Sequence, residues 1–271
     1  MTMFPFLLLF IVACLTLVPL GYLLSSSLQA GGSGWTFANY TDILRSGYMM
    51  RALGGTVAFC AVTSAAATLL SLPAAWWMAR QRRGARYLRM MCQVNFAFSG
   101  VVYGMLIVTL LGNAGVLALL EQAVFGTSLT RGYVYSLGGL AIGYLGFQIP
   151  RAALIVAQSI EKLDPAALSA AKVLGASPAQ VARLVVLPQL YQPMGTAFFA
   201  ILMMSMASFG TALLIARSIE IFPVLIFREF TAFGDVNRAA AMGVLLAGAA
   251  LGLDMAARRL TAERNLRKEV S

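Results

Sequence analysis

The sequence predicts an all-α membrane protein with six transmembrane helices and a cytoplasmic two-helix loop between the fourth and the fifth. Of its 271 residues, 60% are hydrophobic and only 11% are charged, and the mean hydropathy is +0.81. A soluble domain has about 25% charged residues, so this much apolar surface requires lipid. The apolar residues also fall into runs of about 20, the length that crosses a bilayer.

Six apolar segments are long enough to span a membrane. They cover approximately residues 4–24, 53–78, 91–120, 135–160, 194–216 and 236–257. The first segment has no basic leader and no small-residue cleavage pattern, and its apolar run is too long for a secretory signal. We therefore expect it to be a retained helix.

The basic residues indicate the orientation of these helices. Five arginines lie in the loop after the second span, and five basic residues lie in the C-terminal tail. In a six-span topology these two regions share one side of the membrane with the loop between the fourth and fifth spans. Because lysine and arginine accumulate in cytoplasmic loops, we expect both termini and this loop in the cytoplasm.

The composition excludes several chemistries. The chain has no histidine, the commonest metal ligand and general base. Cys14, Cys60 and Cys92 are far apart within apolar runs, without metal-ligand or redox spacing. The sequence also lacks the Gly-x-x-x-x-Gly-Lys-Ser/Thr loop that binds nucleotide phosphates. We therefore expect no metal, no cofactor and no ATP site in this chain. The net charge of +10 does not suggest nucleic acid, since its arginines flank apolar segments.

The polar stretch LDPAALSAAKVLGASPAQVARLVVLPQL, at residues 163–190, has the signals of two short helices. Asp164 and Pro165 are typical of a helix start, and Gly175 is typical of a left-handed C-cap. Ser177 with Pro178 repeats the start signal, and Pro188 is expected to end the second helix. The apolar side of the pair comprises Ala167, Ala170, Ala171 and Leu174, then Val181, Leu184, Val185 and Leu187. So small a helix pair cannot fold alone and is expected to dock on another protein.

This stretch resembles the conserved "EAA" cytoplasmic loop of permeases in binding-protein-dependent, type I ABC importers. The matching positions are Ala170-Ala171, Gly175, Val185 and Leu187-Pro188, with Ser169 where the family has glutamate. The resemblance implies that the loop, about residues 161–193, is a coupling helix that sits in a cleft of a cytoplasmic ATPase. The residues implied in ATPase coupling are Ser169, Ala170, Ala171, Leu174, Gly175, Ala176, Val185, Leu187 and Pro188.

Two further stretches, SIEKLDPAAL and SFGTALLIARSIEIFPVLIFREFTAFGDV, are similar to the branch of that family that carries polyamines, thiamine, ferric iron and phosphonates. The resemblance implies one permease domain over residues 1–271 of a bacterial inner-membrane importer for a small polar or charged solute. The implied partners are a cytoplasmic ATPase dimer that binds the ATP, a second and preferably different permease subunit, and an extracytoplasmic solute-binding protein.

Few polar residues are available to line a translocation pathway. The candidates are Gln148, Arg151, Ser205 and Ser208. Arg151 lies nine residues before Ile160, or roughly 13 Å from the helix end, where an unpaired charge costs at least about 2.5 kcal/mol. It either faces the pathway or extends to the cytoplasmic headgroups as an anchor. The two serines either line the pathway or bond carbonyls of their own helix.

Two outer segments are expected to be short helices. One follows the Gly-rich loop after the first span. The other, IEIFPVLIFREF, precedes the sixth span and is either a re-entrant helix at the outer gate or an amphipathic surface helix.

The competing functions are a self-sufficient secondary transporter or channel, and a membrane enzyme. The first lacks midplane carboxylates and inverted repeats, and the second lacks clustered catalytic side chains.

Overall fold

The computed structural model describes residues 3–29, 34–81, 83–127, 130–163, 171, 173–217 and 219–269, which form helices and turns. Apart from one isolated bridge between Gln29 and Trp35, these residues contain no β-structure. The prediction of an all-α protein is therefore confirmed.

Thirteen α-helices lie in this described part of the chain, and the first seven include the first three spans. These seven are α1 (Met3–Ser27), α2 (Ala38–Arg45), α3 (Gly47–Leu70), α4 (Leu72–Ala79), α5 (Ala85–Val94), α6 (Gly100–Leu111) and α7 (Val116–Phe125). The remaining six are α8 (Leu137–Glu161), α9 (Pro178–Val181), α10 (Leu187–Met206), α11 (Phe209–Ile215), α12 (Phe222–Thr231) and α13 (Val236–Glu269).

Six stretches of the described chain are long and apolar enough to cross a membrane, as the sequence predicts. They are Phe6–Ser27, Gly47–Ala79, Gly100–Phe125, Leu137–Glu161, Arg183–Met206 and Val236–Ala256. The two short helices that were expected between spans are also present, as α2 and α12; their position on the outer side stays a prediction. The number of spans is therefore confirmed, whereas several boundaries differ from those expected.

The second and third spans are not continuous helices. Ser71 separates α3 from α4, because Pro73 has no N–H to donate to the preceding turn. The expected third span at residues 91–120 is divided among α5, α6 and α7. A turn between Gly112 and Gly115 separates α6 from α7, and a Cβ at either glycine would collide with the backbone of α6.

The fifth span was expected at residues 194–216, and this prediction is wrong at both ends. Its main helix, α10, runs from Leu187 to Met206, and the chain leaves helical geometry at Ser208 (φ −79°, ψ 86°) before α11 begins. Pro188 does not end a helix, because it lies in the first turn of α10, where a missing N–H is tolerated.

The chain divides into two compact units. The first comprises residues 1–56 and 220–253, and the second comprises residues 57–219 and 254–271. In the first unit, α2, α12 and the adjoining parts of α3 and α13 share a core that includes Ile43, Phe222 and Met242. The buried Thr56 hydroxyl accepts a hydrogen bond from the Phe222 N–H at 2.8 Å. Helix α12 is thus fixed to α3 at its first residue.

The second unit contains the expected pathway and coupling residues. Its core joins α4, α5, α8, the π-helical turn Ala182–Val186 and α10. Many of its buried residues are small, including Ala75, Ala153, Ala157 and Ala197. Small side chains let helix backbones approach closely, which is how helices pack in lipid.

Candidate functional site

The surface loop at residues 161–193 turns where the sequence predicts. Gly175 has φ +77°, in the left-handed region, and the Ala176 N–H donates to the Ala171 carbonyl at 3.1 Å. This pairing across five residues is the Schellman bond that ends a helix at a left-handed glycine. Ser169 and Ala170 lie outside the described residues, so their place in this helix stays a prediction.

The second helix of the loop begins with a reciprocal cap. The Ser177 N–H donates to the Gln180 side-chain oxygen at 2.7 Å, and the Gln180 N–H donates to the Ser177 hydroxyl at 3.3 Å. This arrangement is a capping box with glutamine at its third position. Sequence reasoning recognised the serine but missed Gln180, although the Ser-x-x-Gln spacing was readable.

The expected apolar stripe of the second helix is split between two sides. Val181 and Val186 are buried and Val185 is half-buried, whereas Leu184 and Leu187 are exposed. The cause is the π-helical turn Ala182–Val186. A π-helical turn has hydrogen bonds five residues apart, so the next residue on the same side as Val181 is Val186. The prediction of one stripe through Val181, Leu184, Val185 and Leu187, ending at Pro188, is therefore wrong.

The loop consequently has an anchored side and a free side. Val181, Val186 and Leu190 belong to the core of the second unit, together with Met78 on α4 and Ile160 on α8. On the free side, Val173 and Leu174 are 88% and 85% exposed, and Leu184 is 70% exposed. The loop is therefore packed against α4 and α8 through its buried valines, while its leucines at residues 174 and 184 are exposed.

Arg151 and Ser208 line one cavity of about 310 Å³ in the second unit. Its walls come from the start of α6, from the middle of α8 and from the break between α10 and α11. The Arg151 guanidinium lies over the Phe96 ring at 4.9 Å and the Phe147 ring at 5.2 Å, and one of its Nη groups donates to the Phe147 carbonyl. The backbone of Ser208 is held by the Tyr144 hydroxyl, which donates to its carbonyl at 2.8 Å.

Gln148 and Ser205 do not line this cavity but meet inside the helix bundle. Both are fully buried, and the Gln148 Nε2 donates to the hydroxyls of Ser205 and Thr63. The Ser205 hydroxyl also donates to the Ile201 carbonyl and lies 3.3 Å from the Ser64 hydroxyl. The arrangement joins α3, α8 and α10 through hydrogen bonds, so both residues have a structural role here. Their assignment to the pathway stays a prediction.

Sequence reasoning missed several residues that line the cavity or lie beside it. Gly210 packs so closely on α6 that a Cβ there would lie 2.5 Å from the Val101 nitrogen. The Thr211 hydroxyl donates to the Gly100 carbonyl at 2.9 Å across the same contact. The spacing of Phe147 and Arg151 by one helical turn was a readable signal for their stacking, whereas Phe96 is too distant in sequence to be found.

A family model described as "Binding-protein-dependent transport system inner membrane component" matches residues 67–261, well over half of the chain. The chain belongs to this family. It is therefore a permease component of a binding-protein-dependent ABC import system, a multi-pass inner-membrane protein and not an enzyme. The alternatives of a secondary transporter and a membrane enzyme are accordingly disfavoured.

Chains in solved structures of ABC transporters share the fold. A chain of a bacterial alginate ABC transporter, in complex with an alginate pentasaccharide-bound periplasmic protein, has a TM-score of 0.78 at 16% identity, covering 96% of this chain and 93% of that one. A chain of a bacterial ABC transporter that imports the acidic polysaccharide alginate has a TM-score of 0.76 at 18% identity, covering 96% and 95%. At these identities the likeness concerns the fold alone. No curated protein sequence matches the chain.

Proposed function

We propose that this permease forms half of a translocation pathway for a small polar or charged solute. The loop at residues 161–193 would couple transport through this pathway to a cytoplasmic ATPase. The observation that carries the proposal is the two-sided loop. Its free side has leucines that are largely exposed, and its other side is packed into the helix core. Exposed apolar clusters on a folded protein are typical of partner surfaces.

The coupling follows from the rigidity of the loop. The left-handed turn at Gly175 and the capping box at Ser177 fix the backbone where the chain enters the second short helix. A cleft that closes around Leu174 and Leu184 would displace the loop as one body. Val181 and Val186 would then transmit the displacement to α4 and α8, and α8 has Arg151 at the cavity.

The substrate assignment depends on the size and the walls of the cavity. A volume of about 310 Å³ corresponds to roughly ten water molecules at about 30 Å³ each. This space suits one small solute, in keeping with the resemblance to the branch for polyamines, thiamine, ferric iron and phosphonates. The structures with the same fold include importers of alginate, a polysaccharide. A polymer of that kind would have to pass through this cavity one sugar unit at a time.

The remaining parts of the proposed machine are separate subunits. ATP would be bound by an ATPase dimer, and this chain would contribute no cofactor. A second permease subunit, different from this one, would complete the pathway, and an extracytoplasmic solute-binding protein would deliver the solute. Both termini and the coupling loop would lie in the cytoplasm.

The proposal is tested by purifying the tagged permease from native membranes and measuring the amount of ATPase subunit per permease. Leu174→Glu places a charge on the free side, where Leu174 is 85% exposed, and should remove most of the ATPase. Leu44→Glu is the matched control, because Leu44 is 52% exposed on α2, outside the loop. Equal ATPase recovery with the parent and with Leu174→Glu would contradict the proposal.

A further inference from the structure

The positive charge of Arg151 is held in place but is not neutralised. Two aromatic rings, Phe96 and Phe147, flank its guanidinium, and the Phe147 carbonyl accepts one hydrogen bond. Its Nε is buried without a hydrogen-bond partner, and the ion pairs found in the described part of the chain join other residues. Arg151 as a whole is half-buried, and a cation held within a membrane span without a counter-charge is costly, so a bound anion would stabilise it.

The position of this side chain argues against the anchoring alternative. Arg151 precedes the end of α8 at Glu161 by ten residues, which is about 15 Å along the helix. Its guanidinium contacts Phe147, one turn towards the start of α8, the direction in which helical side chains tilt. An arginine that extended to headgroups beyond Glu161 would have to turn the opposite way. Arg151 therefore serves the cavity.

The other walls of the cavity also suit an anion. Arg151 is the charged residue among those that line it, and Ser99, Tyr103 and Ser208 add hydroxyl groups. Ser99, Gly100 and Val101 belong to the N-terminal end of α6, a twelve-residue helix whose dipole places partial positive charge there. Aromatic side chains, including Phe98 and Phe209, form much of the remaining wall.

We propose that Arg151 selects an anionic solute, binding its carboxylate, phosphonate or phosphate group while the aromatic walls contact its carbon skeleton. The guanidinium can donate two parallel hydrogen bonds to such an oxyanion. This inference rests on the proposed function, because it names the substrate class of that pathway. Within the branch that the sequence resembles, it favours an anionic substrate over polyamines and thiamine.

The test measures the charge preference of the cavity directly with two thiol reagents of similar size. Ser208→Cys is introduced into a permease whose three native cysteines are replaced by alanine, and the complete transporter is purified in phosphatidylcholine nanodiscs. The modification rates by an anionic sulfonatoethyl and by a cationic trimethylammonioethyl methanethiosulfonate are compared, at rest and during ATP turnover. The comparison is repeated with Arg151→Gln and Arg151→Lys.

Arg151→Gln should lower the ratio of anionic to cationic rates by on the order of tenfold, because a full charge in the wall of the cavity that holds the thiol is lost. Arg151→Lys should retain most of the ratio. The matched control is Thr127→Cys, in the exposed segment after α7, where the ratio should not depend on residue 151. An unchanged ratio at Ser208→Cys, or a thiol that neither reagent modifies, would overturn the inference.

A lipid headgroup offers the same oxyanion chemistry, so the measurement is repeated with phosphatidylglycerol in the nanodisc. A preference that persists supports a solute site, whereas one that disappears would assign the guanidinium to lipid and overturn the solute assignment. Assembly with the ATPase is measured on the same samples. If the ATPase assembles and the ratio does not change, this inference fails while the proposed function stands.

Discussion

The sharpest consequence of the loop geometry concerns Gly175. Its φ of +77° lies in the left-handed region, and a Cβ added there would meet no atom within 4 Å. A substitution therefore acts through backbone conformation and not through a clash. For a residue other than glycine, this conformation is unfavourable by about 1–2 kcal/mol, and for a β-branched residue such as valine the free-energy cost is larger.

A penalty of 1–2 kcal/mol lowers the equilibrium ratio of the correctly turned loop to other loop conformations by a factor of about 5 to 30. Gly175→Val should therefore reduce the stimulation of ATP hydrolysis by solute-loaded binding protein, by up to this factor where the parent turn is only marginally favoured. Gly175→Asn should lose less, since asparagine adopts the left-handed conformation more readily. The assay is stimulated ATP hydrolysis in reconstituted complexes, normalised to assembled ATPase.

Gly195→Val is the matched control for this substitution. Gly195 also has no atom within 4 Å of its would-be Cβ, but it lies inside α10 with helical geometry. Valine is a better helix residue than glycine, so this variant should couple normally. If Gly175→Val shows the parent's stimulation at equal assembly, the turn has no role in coupling and the reasoning from its geometry fails.

Three further predictions concern stability and topology. Ser205→Ala removes an acceptor from the buried Gln148 amide and should destabilise the protein by about 0.6–1.7 kcal/mol in denaturant titration. Adding Gln148→Leu should cost less than the sum of the single changes, and strict additivity would contradict the contact. Glu161→Gln breaks the ion pair with Arg89. The side chain of Arg89 is 36% exposed and that of Glu161 is 32% exposed, so the change should lower the free energy of unfolding by less than about 1 kcal/mol. A larger decrease would contradict the exposure of this pair. Gly84→Cys and Ser177→Cys should react with an impermeant maleimide only after permeabilisation, whereas Thr127→Cys should react in intact cells, and the reverse pattern would invert the orientation.

Hydropathy was enough to predict the number of spans, because each helix must satisfy its own backbone in lipid. It did not locate the interruptions at Ser71 and Ser208. Both lie inside apolar runs, and the hydropathy of a run does not register a break in backbone hydrogen bonding. The π-helical turn before Pro188 was missed for the same reason. The sequence therefore did not predict that Leu184 and Leu187 are exposed while Val181 and Val186 are buried.

Local signals in the loop were more informative than those in the pathway. The turn at Gly175 depends on a single residue with an unusual φ, so sequence alone predicts it. Gln148 is different, because its partners Thr63 and Ser205 come from other helices. A polar residue in a span can face a pathway or another helix, and only the packing of the helices distinguishes these two roles.

The central claim, that the free side of the loop contacts an ATPase, is tested most directly by site-specific crosslinking in the assembled transporter. A photoreactive maleimide is attached to Leu174→Cys in the cysteine-free permease, with Leu44→Cys as the exposed control outside the loop. The account predicts a crosslink from residue 174 to the ATPase subunit that changes in yield between the nucleotide-free and ATP-bound states, and none from residue 44. Absence of the residue-174 crosslink from an active, fully assembled complex would contradict it.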